Sequence, residues 1–219
     1  MELQTKNQTS ASRYTAYMPD ENGYINYSNA EDKVWNILYD RQIGIVQNYA
    51  ANAYLSGLDK LELSNTKIPQ PVTVSTRLRE ITGWEVAPVA ALIDFNYFFE
   101  LLANKRFPAA SFIRCMEDLD YLKEPDIFHE IFGHCPMLTE PSFAAFVQEV
   151  GKFGATLDKS FQVMLGRLFW FTVEFGLIQE NHGLRVYGAG ILSSKSESIY
   201  SIDSEIQRRV EFNLIEALR

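Results

Sequence analysis

The segment from Glu124 to His134 constrains this chain more than any other part of the sequence. It reads Glu-Pro-Asp-Ile-Phe-His-Glu-Ile-Phe-Gly-His, so eleven residues hold two of the chain's three histidines together with three carboxylates. Apolar residues separate these polar groups. Imidazoles and carboxylates concentrated in an apolar stretch are a typical donor set of a metal site. We therefore expect the fold to bury this segment around a metal ion.

The spacing of the two histidines predicts how the segment must fold. His129 and His134 are five positions apart, whereas the zinc-protease pattern His-Glu-x-x-His places its ligands four apart on one helical face. Five residues of α-helix rotate the second ring about 140° from the first, so both can reach one ion only if the helix ends between them. Gly133 favours such an end, and Pro125 suits a first helical turn. We expect a short helix over 125–132 with His134 just beyond it.

Glu174 is the candidate for a third ligand. From Phe161 onward its segment is apolar on nearly every face, which is typical of a buried helix. An unpaired buried carboxylate is costly, so it is normally paired, protonated or bound to a metal. Two histidines and one carboxylate form the facial triad of non-haem Fe(II) oxygen chemistry, which leaves open positions on the metal.

Other interpretations of these side chains remain open at this point. His129 alone fits a hydrogen-bonded core histidine. Glu174 alone fits the buried ion-pair partner of one of three arginines, namely Arg114, Arg167 and Arg185. Cys135 offers a thiolate next to His134, which would favour zinc or an iron–sulfur site. His182 lies in a polar turn and is expected at the surface.

Periodicity along the rest of the chain predicts a mainly α fold (α+β with minor β structure). Apolar residues at helical spacing and capping residues predict a set of helices: Glu31–Leu55, Val72–Thr82, Asp94–Ala103, Pro141 to Gly151 or Gly154, a long helix capped by Asp158 that carries Glu174, and Glu205–Leu218. Extended structure is expected over Phe107–Ile113 and Leu184–Leu192. The first 30 residues are polar and aperiodic, which predicts an arm rather than a packed element.

Composition limits the classes of partner. The 219 residues carry a net charge of -8 with no basic stripe, which argues against nucleic acid. The sequence has no apolar run of membrane-spanning length and no leader, so we expect a cytoplasmic protein. Cys115 and Cys135 are expected to be reduced thiols. One domain is the default at this length, and the lack of a heptad extension predicts a monomer.

Three segments resemble the pterin-dependent aromatic amino-acid hydroxylases. They are 125–136, 170–176 and 187–194, which read PDIFHEIFGHCP, WFTVEFG and YGAGILSS. The similarity runs from about Asp32 to the last residue. The resemblance implies a single catalytic domain of this type, with Fe(II) and tetrahydrobiopterin or a related tetrahydropterin as cofactors. It also implies hydroxylation of L-phenylalanine to L-tyrosine with O₂, although tyrosine as the substrate fits the same pocket residues.

On this resemblance His129, His134 and Glu174 are the iron ligands. Asp126 falls on a position close to these ligands, and partners of that kind fix the orientation of ligating imidazoles. Arg114 matches the arginine that binds the carboxylate of the substrate. A guanidinium suits this task because its fork of donors matches a carboxylate in bidentate fashion.

The resemblance also implies residues around the substrate ring and the pterin. Pro125 and Trp170 fall on walls of the aromatic pocket. Ser193 falls near the substrate and the metal as a candidate catalytic residue. Three further positions concern the pterin: Phe98 stacks on it, Glu130 faces it as a second candidate catalytic group, and the backbone from Ala91 to Ile93 hydrogen-bonds its ring.

The chain departs from the family's pattern in places. Phe169 stands where many relatives have tyrosine, and Leu122 where animal enzymes have threonine. The family's catalytic domain continues past 201–219, so we expect an arm over 1–30 and an iron- and pterin-binding domain over 31–219 that is shortened at its C-terminus. Two alternatives follow: a catalytically impaired amino-acid or pterin binder, and a zinc-dependent hydrolase with Glu130 as general base.

Overall fold

The computed structural model describes residues 14–89, 93–205 and 209–218. Its helices are α1 (Asn29–Tyr49), α2 (Asn52–Leu61), α3 (Pro71–Ile81), α4 (Phe95–Ala103), α5 (Pro141–Gly154), α6 (Lys159–Phe169), α7 (Ala189–Leu192), α8 (Lys195–Asp203) and α9 (Leu214–Leu218). Its strands are β1 (Glu85–Val89), β2 (Arg106–Ala110), β3 (Leu177–Glu180) and β4 (Gly183–Val186). Two π-helical turns occur at His129–His134 and Trp170–Glu174. The predicted mainly α fold with minor β structure is confirmed.

Local capping chemistry explains several helix starts. The side chains of Asp94 and Asp158 accept hydrogen bonds from the first backbone N–H groups of α4 and α6. Pro141 opens α5, where its missing N–H leaves no donor unsatisfied. Ser28 and Glu31 form a capping box at the start of α1. These starts depend on neighbours within three residues in the chain, so the sequence carries most of the information needed to place them.

The predicted single helix over 31–55 is wrong, because the chain breaks at Ala50. There the backbone turns extended, with φ -77° and ψ 155°. Ala50 forms an isolated bridge with Val186, and the N–H of Ala51 donates to the carbonyl of Val186 at 2.7 Å. Pairing with the end of β4 therefore replaces one helical turn and separates α1 from α2.

The predicted C-terminal helix over 205–218 is also wrong in the described residues, since only Leu214–Leu218 is helical. Residues 209–213 are not helical. The guanidinium of Arg209 instead donates from Nε to the carbonyl of Ser201 at 2.7 Å and from Nη2 to that of Ile202 at 2.6 Å. These bonds satisfy carbonyls at the end of α8 that a helix terminus leaves without partners.

Each of the two small sheets lies beside a segment of interest. Strands β1 and β2 pair in parallel from Glu85↔Arg106 to Val89↔Ala110, and β2 leads into the stretch that carries Arg114. Strands β3 and β4 form an antiparallel hairpin between Glu174 and α7. The expected extended segment at 107–113 therefore forms in part, whereas the one at 184–192 ends at Val186 and continues as α7.

Buried aromatic rings anchor the histidine segment from behind. Phe128 and Phe132 stack with ring centroids 4.8 Å apart, and Trp35 packs edge-on against Phe128 at 5.3 Å. The Tyr54 hydroxyl donates to the backbone carbonyl of Phe132 at 2.7 Å. All four side chains are almost fully buried. The apolar face of the segment is thus fixed in the core, and its histidines point to the other side.

Residues 14–28 contain no helix or strand, but they pack on the domain. Tyr14 stacks on Phe112 at 4.8 Å, and the Tyr27 hydroxyl donates to the carbonyl of Ser111 at 2.8 Å. The Ser111 hydroxyl donates in turn to the carbonyl of Tyr17 at 2.7 Å. These contacts hold the stretch just before Arg114. Across the described ranges, none of the helices is both long and apolar enough to cross a bilayer.

Candidate active site

A π-helical turn brings the two histidines together. His129–His134 is wound with hydrogen bonds between residues five apart, so residues at this spacing recur on one face. The Nε2 atoms of His129 and His134 lie 3.1 Å apart. The prediction that the helix must end at Gly133 is therefore wrong. The chain stays helical to Cys135, with φ -60° and ψ -34° there. The wider winding of the π turn, rather than a helix end, brings the two histidine rings to one face.

Gly133 has a packing role instead. A Cβ at this position would lie 3.1 Å from both the Cβ and the carbonyl oxygen of Ala189, which is tighter than an ordinary contact. Glycine therefore lets α7 approach the π turn closely. This approach matters because α7 leads directly into Ser193, which contacts one of the histidines.

Glu174 reaches the same point from a second π turn. Its Oε1 lies 3.0 Å from Nε2 of His134, and its Oε2 lies 3.5 Å from Nε2 of His129. The loop before α7 passes very close to it, because a Cβ on Gly188 would lie 2.4 Å from the Glu174 carbonyl oxygen. A Cβ on Gly190 would lie 3.2 Å from Oε2 of Glu174. The glycines of the YGAG segment thus leave space for the carboxylate.

These three donors fit a metal ion. Bonds of about 2.1 Å at right angles place neighbouring ligand atoms about 3.0 Å apart, and the observed separations are 3.0 to 3.5 Å. The carboxylate of Glu130 also lies within 4.8 Å of both histidine nitrogens. We assign the third ligand to Glu174 because it contacts both rings, whereas burial raises the pKa of Glu130 to about 8 and favours its neutral form.

The protonation of the cluster is consistent with a cation site. Burial opposes the charge on Glu174, yet the adjacent His134 and His129 hold the pKa of this carboxyl well below its usual range. Burial likewise opposes the charge on His129, but the Glu174 carboxylate outweighs it and raises the pKa of His129 to about 9. Burial lowers the pKa of His134. A proton on His129 therefore balances Glu174, and a metal ion would displace it.

Ser193 fixes the outer nitrogen of His129. The Ser193 hydroxyl and Nδ1 of His129 form a hydrogen bond of 2.9 Å. Such a bond determines the ring orientation and leaves Nε2 to face the metal position. The structure therefore brings Ser193, which the resemblance assigns to this region, next to the histidine–glutamate cluster and gives its hydroxyl a specific partner.

Asp126 acts on Arg114 and on the backbone rather than on an imidazole ring. Its carboxylate accepts Nε and Nη2 of Arg114 at 2.8 and 2.9 Å, and it accepts the Arg114 backbone N–H at 3.0 Å. The backbone N–H of His129 donates to Oδ1 at 3.1 Å. The Arg114 charge lowers the pKa of the fully buried Asp126 against the effect of burial. Asp126 thus ties the arginine to the turn that carries His129.

A cavity of about 670 Å³ lies beside the metal position. Its lining includes these predicted site residues: Arg114, Pro125, His129, Trp170, Glu174 and Ser193. Leu38, Phe128 and Phe175 add apolar wall. The expectation of a helix buried on every face before Glu174 is wrong, since Trp170 is 57% and Phe171 53% exposed. Trp170 lies at the rim of the cavity.

The described residues predicted to bind the pterin lie outside the lining of this cavity, although Glu130 is next to the two histidines. Phe98 is half-buried and packs edge-on against Phe169, with the ring centroids 5.2 Å apart. Because Phe169 stands where many relatives have tyrosine, this contact is purely apolar. Ile93 is half-buried and Glu130 is buried, and neither they nor Phe98 line the cavity. Ala91 lies outside the described residues.

The structure answers three of the open questions about these side chains. Arg114 pairs with Asp126, so it is not the ion-pair partner of Glu174. Cys135 donates its thiol to the carbonyl of Glu130 at 3.4 Å, and burial raises its pKa, so it remains a neutral thiol. His182 is exposed, as predicted.

Sequence reasoning missed Gln42, a buried residue that positions Ser193. Its Nε2 donates to the carbonyl of Leu192 at 2.7 Å and to the Ser198 hydroxyl at 2.9 Å. Gln42 thereby ties α1 to the segment on both sides of Ser193. A signal was present, because Leu38, Gln42 and Val46 share one face of α1 and both flanking residues are buried. A polar side chain on such a face needs a partner.

Known proteins support this geometry. The family model for biopterin-dependent aromatic amino acid hydroxylases matches residues 3–217. The phenylalanine-4-hydroxylase of Pseudomonas aeruginosa is 50% identical over 207 residues, which are 94% of this chain and 79% of that protein. The phenylalanine-4-hydroxylase of Vibrio cholerae is 46% identical and covers 94% of this chain and 72% of that protein.

Solved structures agree with these relatives. The apo structure of the cold-active phenylalanine hydroxylase from Colwellia psychrerythraea aligns with a TM-score of 0.91 at 48% identity, over 94% of this chain and 79% of that one. The phenylalanine hydroxylase of Chromobacterium violaceum, with bound iron(III) and oxidised 7,8-dihydrobiopterin, aligns at 0.86 and 42% identity, over 92% and 76%. This chain therefore belongs to the family of biopterin-dependent aromatic amino acid hydroxylases.

Proposed function

We propose that this chain is a tetrahydropterin- and O₂-dependent iron monooxygenase that converts L-phenylalanine to L-tyrosine. One observation carries the proposal: the donors of His129, His134 and Glu174 converge to 3.0 to 3.5 Å beside a cavity that also holds Arg114. The relatives named phenylalanine-4-hydroxylase support the choice of substrate. The iron and dihydrobiopterin in the Chromobacterium violaceum structure support the choice of cofactors.

The metal ligands prepare the site for oxygen chemistry. His129, His134 and Glu174 would hold Fe(II) on one face and leave the opposite face open. When bound, the iron would activate O₂ and the reduced pterin would supply two electrons, so that one oxygen atom goes to the substrate ring and the other to the pterin. Ser193 keeps the His129 ring in its ligating orientation. The buried position of His134 and its contact with Phe107 at 4.7 Å keep water from that side of the site.

Arg114, which also lines the cavity, would anchor the carboxylate of the amino acid. Asp126 occupies its Nε and Nη2 donors, so the remaining Nη1 donors are available for the substrate carboxylate. Because Asp126 also accepts the backbone N–H of His129, the anchor and the metal turn form one rigid unit. Pro125, Phe128 and Trp170 then confine the aromatic ring between the anchor and the metal. This arrangement positions the ring for attack, which accounts for much of the rate that an enzyme can supply.

Phe98, Ile93 and Glu130 would hold the pterin, with the Phe98 ring offering a stacking surface and the backbone of Ile93 offering hydrogen bonds. Glu130 supports this placement because it is buried next to both histidines and has a raised pKa. A neutral carboxyl can donate a hydrogen bond to a ring nitrogen or oxygen.

We also infer a cytoplasmic monomer that takes part in phenylalanine catabolism, with residues 1–30 as an arm on a catalytic domain at 31–219. Cys115 and Cys135 are not joined in a disulfide, which fits a reducing compartment. Light scattering of the purified chain tests the monomer, because a molar mass near twice 25.1 kDa would contradict it.

The test of the proposed reaction is tyrosine formation. The purified chain is loaded anaerobically with Fe(II), mixed with tetrahydrobiopterin and L-phenylalanine, and exposed to O₂, and tyrosine is separated by chromatography. We expect tyrosine in proportion to pterin oxidised, and none with Glu174→Ala. Iron bound without tyrosine would contradict the proposal and favour an impaired binder. Retention of zinc with no pterin consumption would favour a hydrolase.

A further inference from the structure

An unused carboxylate lies in the wall of the substrate cavity. Glu124 is half-buried and lines the cavity near Arg114 and Pro125. Its Oε2 atom is shielded from solvent and has no hydrogen-bond partner in the described part of the chain. An acceptor buried in this way loses its bonds to water without replacement, which destabilises the folded protein. A buried acceptor without a partner needs a physical explanation, and a ligand bound in the cavity would supply one.

The other carboxylates around the cavity are already used or exposed. Glu174 contacts both histidines. Asp120 is 87% exposed at its side chain and pairs with Arg41. Glu197 is exposed in the first turn of α8. Among the cavity-lining carboxylates of the described residues, Glu124 thus combines a shielded oxygen with an unfilled acceptor.

Backbone pairing places Glu124 close to Arg114. The N–H of Ile127 donates to the carbonyl of Phe112 at 2.8 Å, and the N–H of Arg114 donates to Oδ2 of Asp126 at 3.0 Å. The stretches 112–114 and 124–127 therefore run side by side. Glu124 stands two residues before Asp126, a distance of at most about 7 Å along an extended chain. A carboxylate and a guanidinium thus occupy neighbouring positions in one wall.

A free α-amino acid has the matching charges. Its carboxylate and its ammonium group are attached to the same carbon, so a site that binds both needs one anion receptor and one cation receptor close together. Arg114 supplies the first. Lys123 and Lys195, which also line the cavity, are cations and cannot accept from an ammonium group.

We propose that Glu124 is a substrate-binding residue that accepts a hydrogen bond from the ammonium group of the amino acid. This inference rests on the proposed function, because it takes a free aromatic amino acid as the ligand. Arg114, Glu124 and the ring pocket then hold three of the four substituents of the α-carbon. Three such contacts select the L enantiomer and reject aromatic acids that have no amino group.

The test measures binding without turnover. The Fe(II)-loaded chain is titrated by calorimetry under anaerobic conditions with L-phenylalanine and with 3-phenylpropanoate, which has the same ring and carboxylate but no amino group. We expect Glu124→Gln to weaken L-phenylalanine binding about ten- to hundredfold and to change 3-phenylpropanoate binding by no more than about twofold. Glu197→Gln, which removes the same charge from an exposed side chain at the cavity, is the matched control and should leave both affinities unchanged.

The outcomes separate the inference from the function on which it rests. Equal weakening of both ligands by Glu124→Gln would show a purely structural role and overturn the proposal. If Glu197→Gln weakened L-phenylalanine binding as much as Glu124→Gln does, the loss would be a long-range charge effect and the proposal would fail. If Glu124→Gln does not fold, the affinities of the wild-type chain for the two ligands are compared instead. Equal affinity for L-phenylalanine and 3-phenylpropanoate would exclude a receptor for the ammonium group. Failure of the wild-type chain to bind L-phenylalanine would instead remove the proposed substrate.

Discussion

Two parts of the site differ in how they are held: the buried cluster of His129, His134 and Glu174, which we call the closed end, and the exposed part of the cavity lining around Tyr121 and Asp120, which we call the mouth. At the closed end His134 is 3% exposed and Glu174 has both oxygens against imidazoles. At the mouth Tyr121 is 77% exposed, and Asp120, which pairs with Arg41, has a side chain that is 87% exposed. The first region has its geometry fixed by packing and hydrogen bonds, whereas the second is held by contacts that water can replace. The side chains are thus held most firmly where the three donors meet. We therefore expect substitutions to change metal binding and stability most at the closed end and least at the mouth.

The largest effect is expected at Glu174. Glu174→Ala removes the carboxylate that contacts both histidines, so two imidazoles remain and the triad is lost. We expect no iron after gel filtration, measured by atomic emission, and no detectable tyrosine. Glu100→Ala, an exposed carboxylate on α4, is the control and should retain iron. Full iron retention by Glu174→Ala would shift the third ligand to Glu130.

A large effect is also expected from a single methyl group behind Glu174. In Gly188→Ala the new Cβ would lie 2.4 Å from the Glu174 carbonyl oxygen, so the backbone must move. We expect a loss of roughly 1–3 kcal/mol in the free energy of unfolding, measured with urea. Gly44→Ala is the matched control, because no atom lies within 4 Å of its added Cβ. That helical site should gain up to about 1 kcal/mol. Similar changes in both variants would contradict tight packing at Gly188.

Ser193→Ala tests the bond that orients His129. The hydroxyl lies 2.9 Å from Nδ1, and loss of such a partner typically lowers metal affinity about 10- to 100-fold. Competition with a chelator measures the iron affinity. Ser196→Ala, an exposed residue in the first turn of α8, should leave that affinity unaltered. Unaltered affinity in Ser193→Ala would show that packing alone orients the ring.

The smallest effect is expected at the mouth. Arg41→Gln breaks the pair with Asp120, which is largely exposed. Exposed pairs contribute about 0–1 kcal/mol and are screened by salt, so we expect a small change in the free energy of unfolding that vanishes in concentrated salt. Iron content should not change. A large loss of iron in this variant would erase the contrast between the two ends of the cavity.

The comparison also explains which predictions from the sequence succeeded. The sequence singled out the three donors that converge in the structure, because their chemistry is encoded locally, in histidines and carboxylates placed among apolar residues. Helix starts at Asp94, Pro141 and Asp158 were predicted for the same reason, since capping depends on residues within one turn. Pairing between distant segments has no such local signal. The break at Ala50 and the non-helical stretch at 209–213 were therefore missed.

By itself, the sequence determined which residue types could bind a metal and that the fold is mainly helical. Side-chain identity and short-range spacing are properties of the chain, so both could be read from it. Only the tertiary structure decided that a π turn, rather than a helix end, joins His129 to His134, and that Asp126 binds Arg114 and the His129 backbone. It also decided that Glu124 has a shielded, unfilled oxygen in the cavity wall. Winding, partner choice and solvent access depend on segments far apart in sequence, and they are fixed only when those segments pack together.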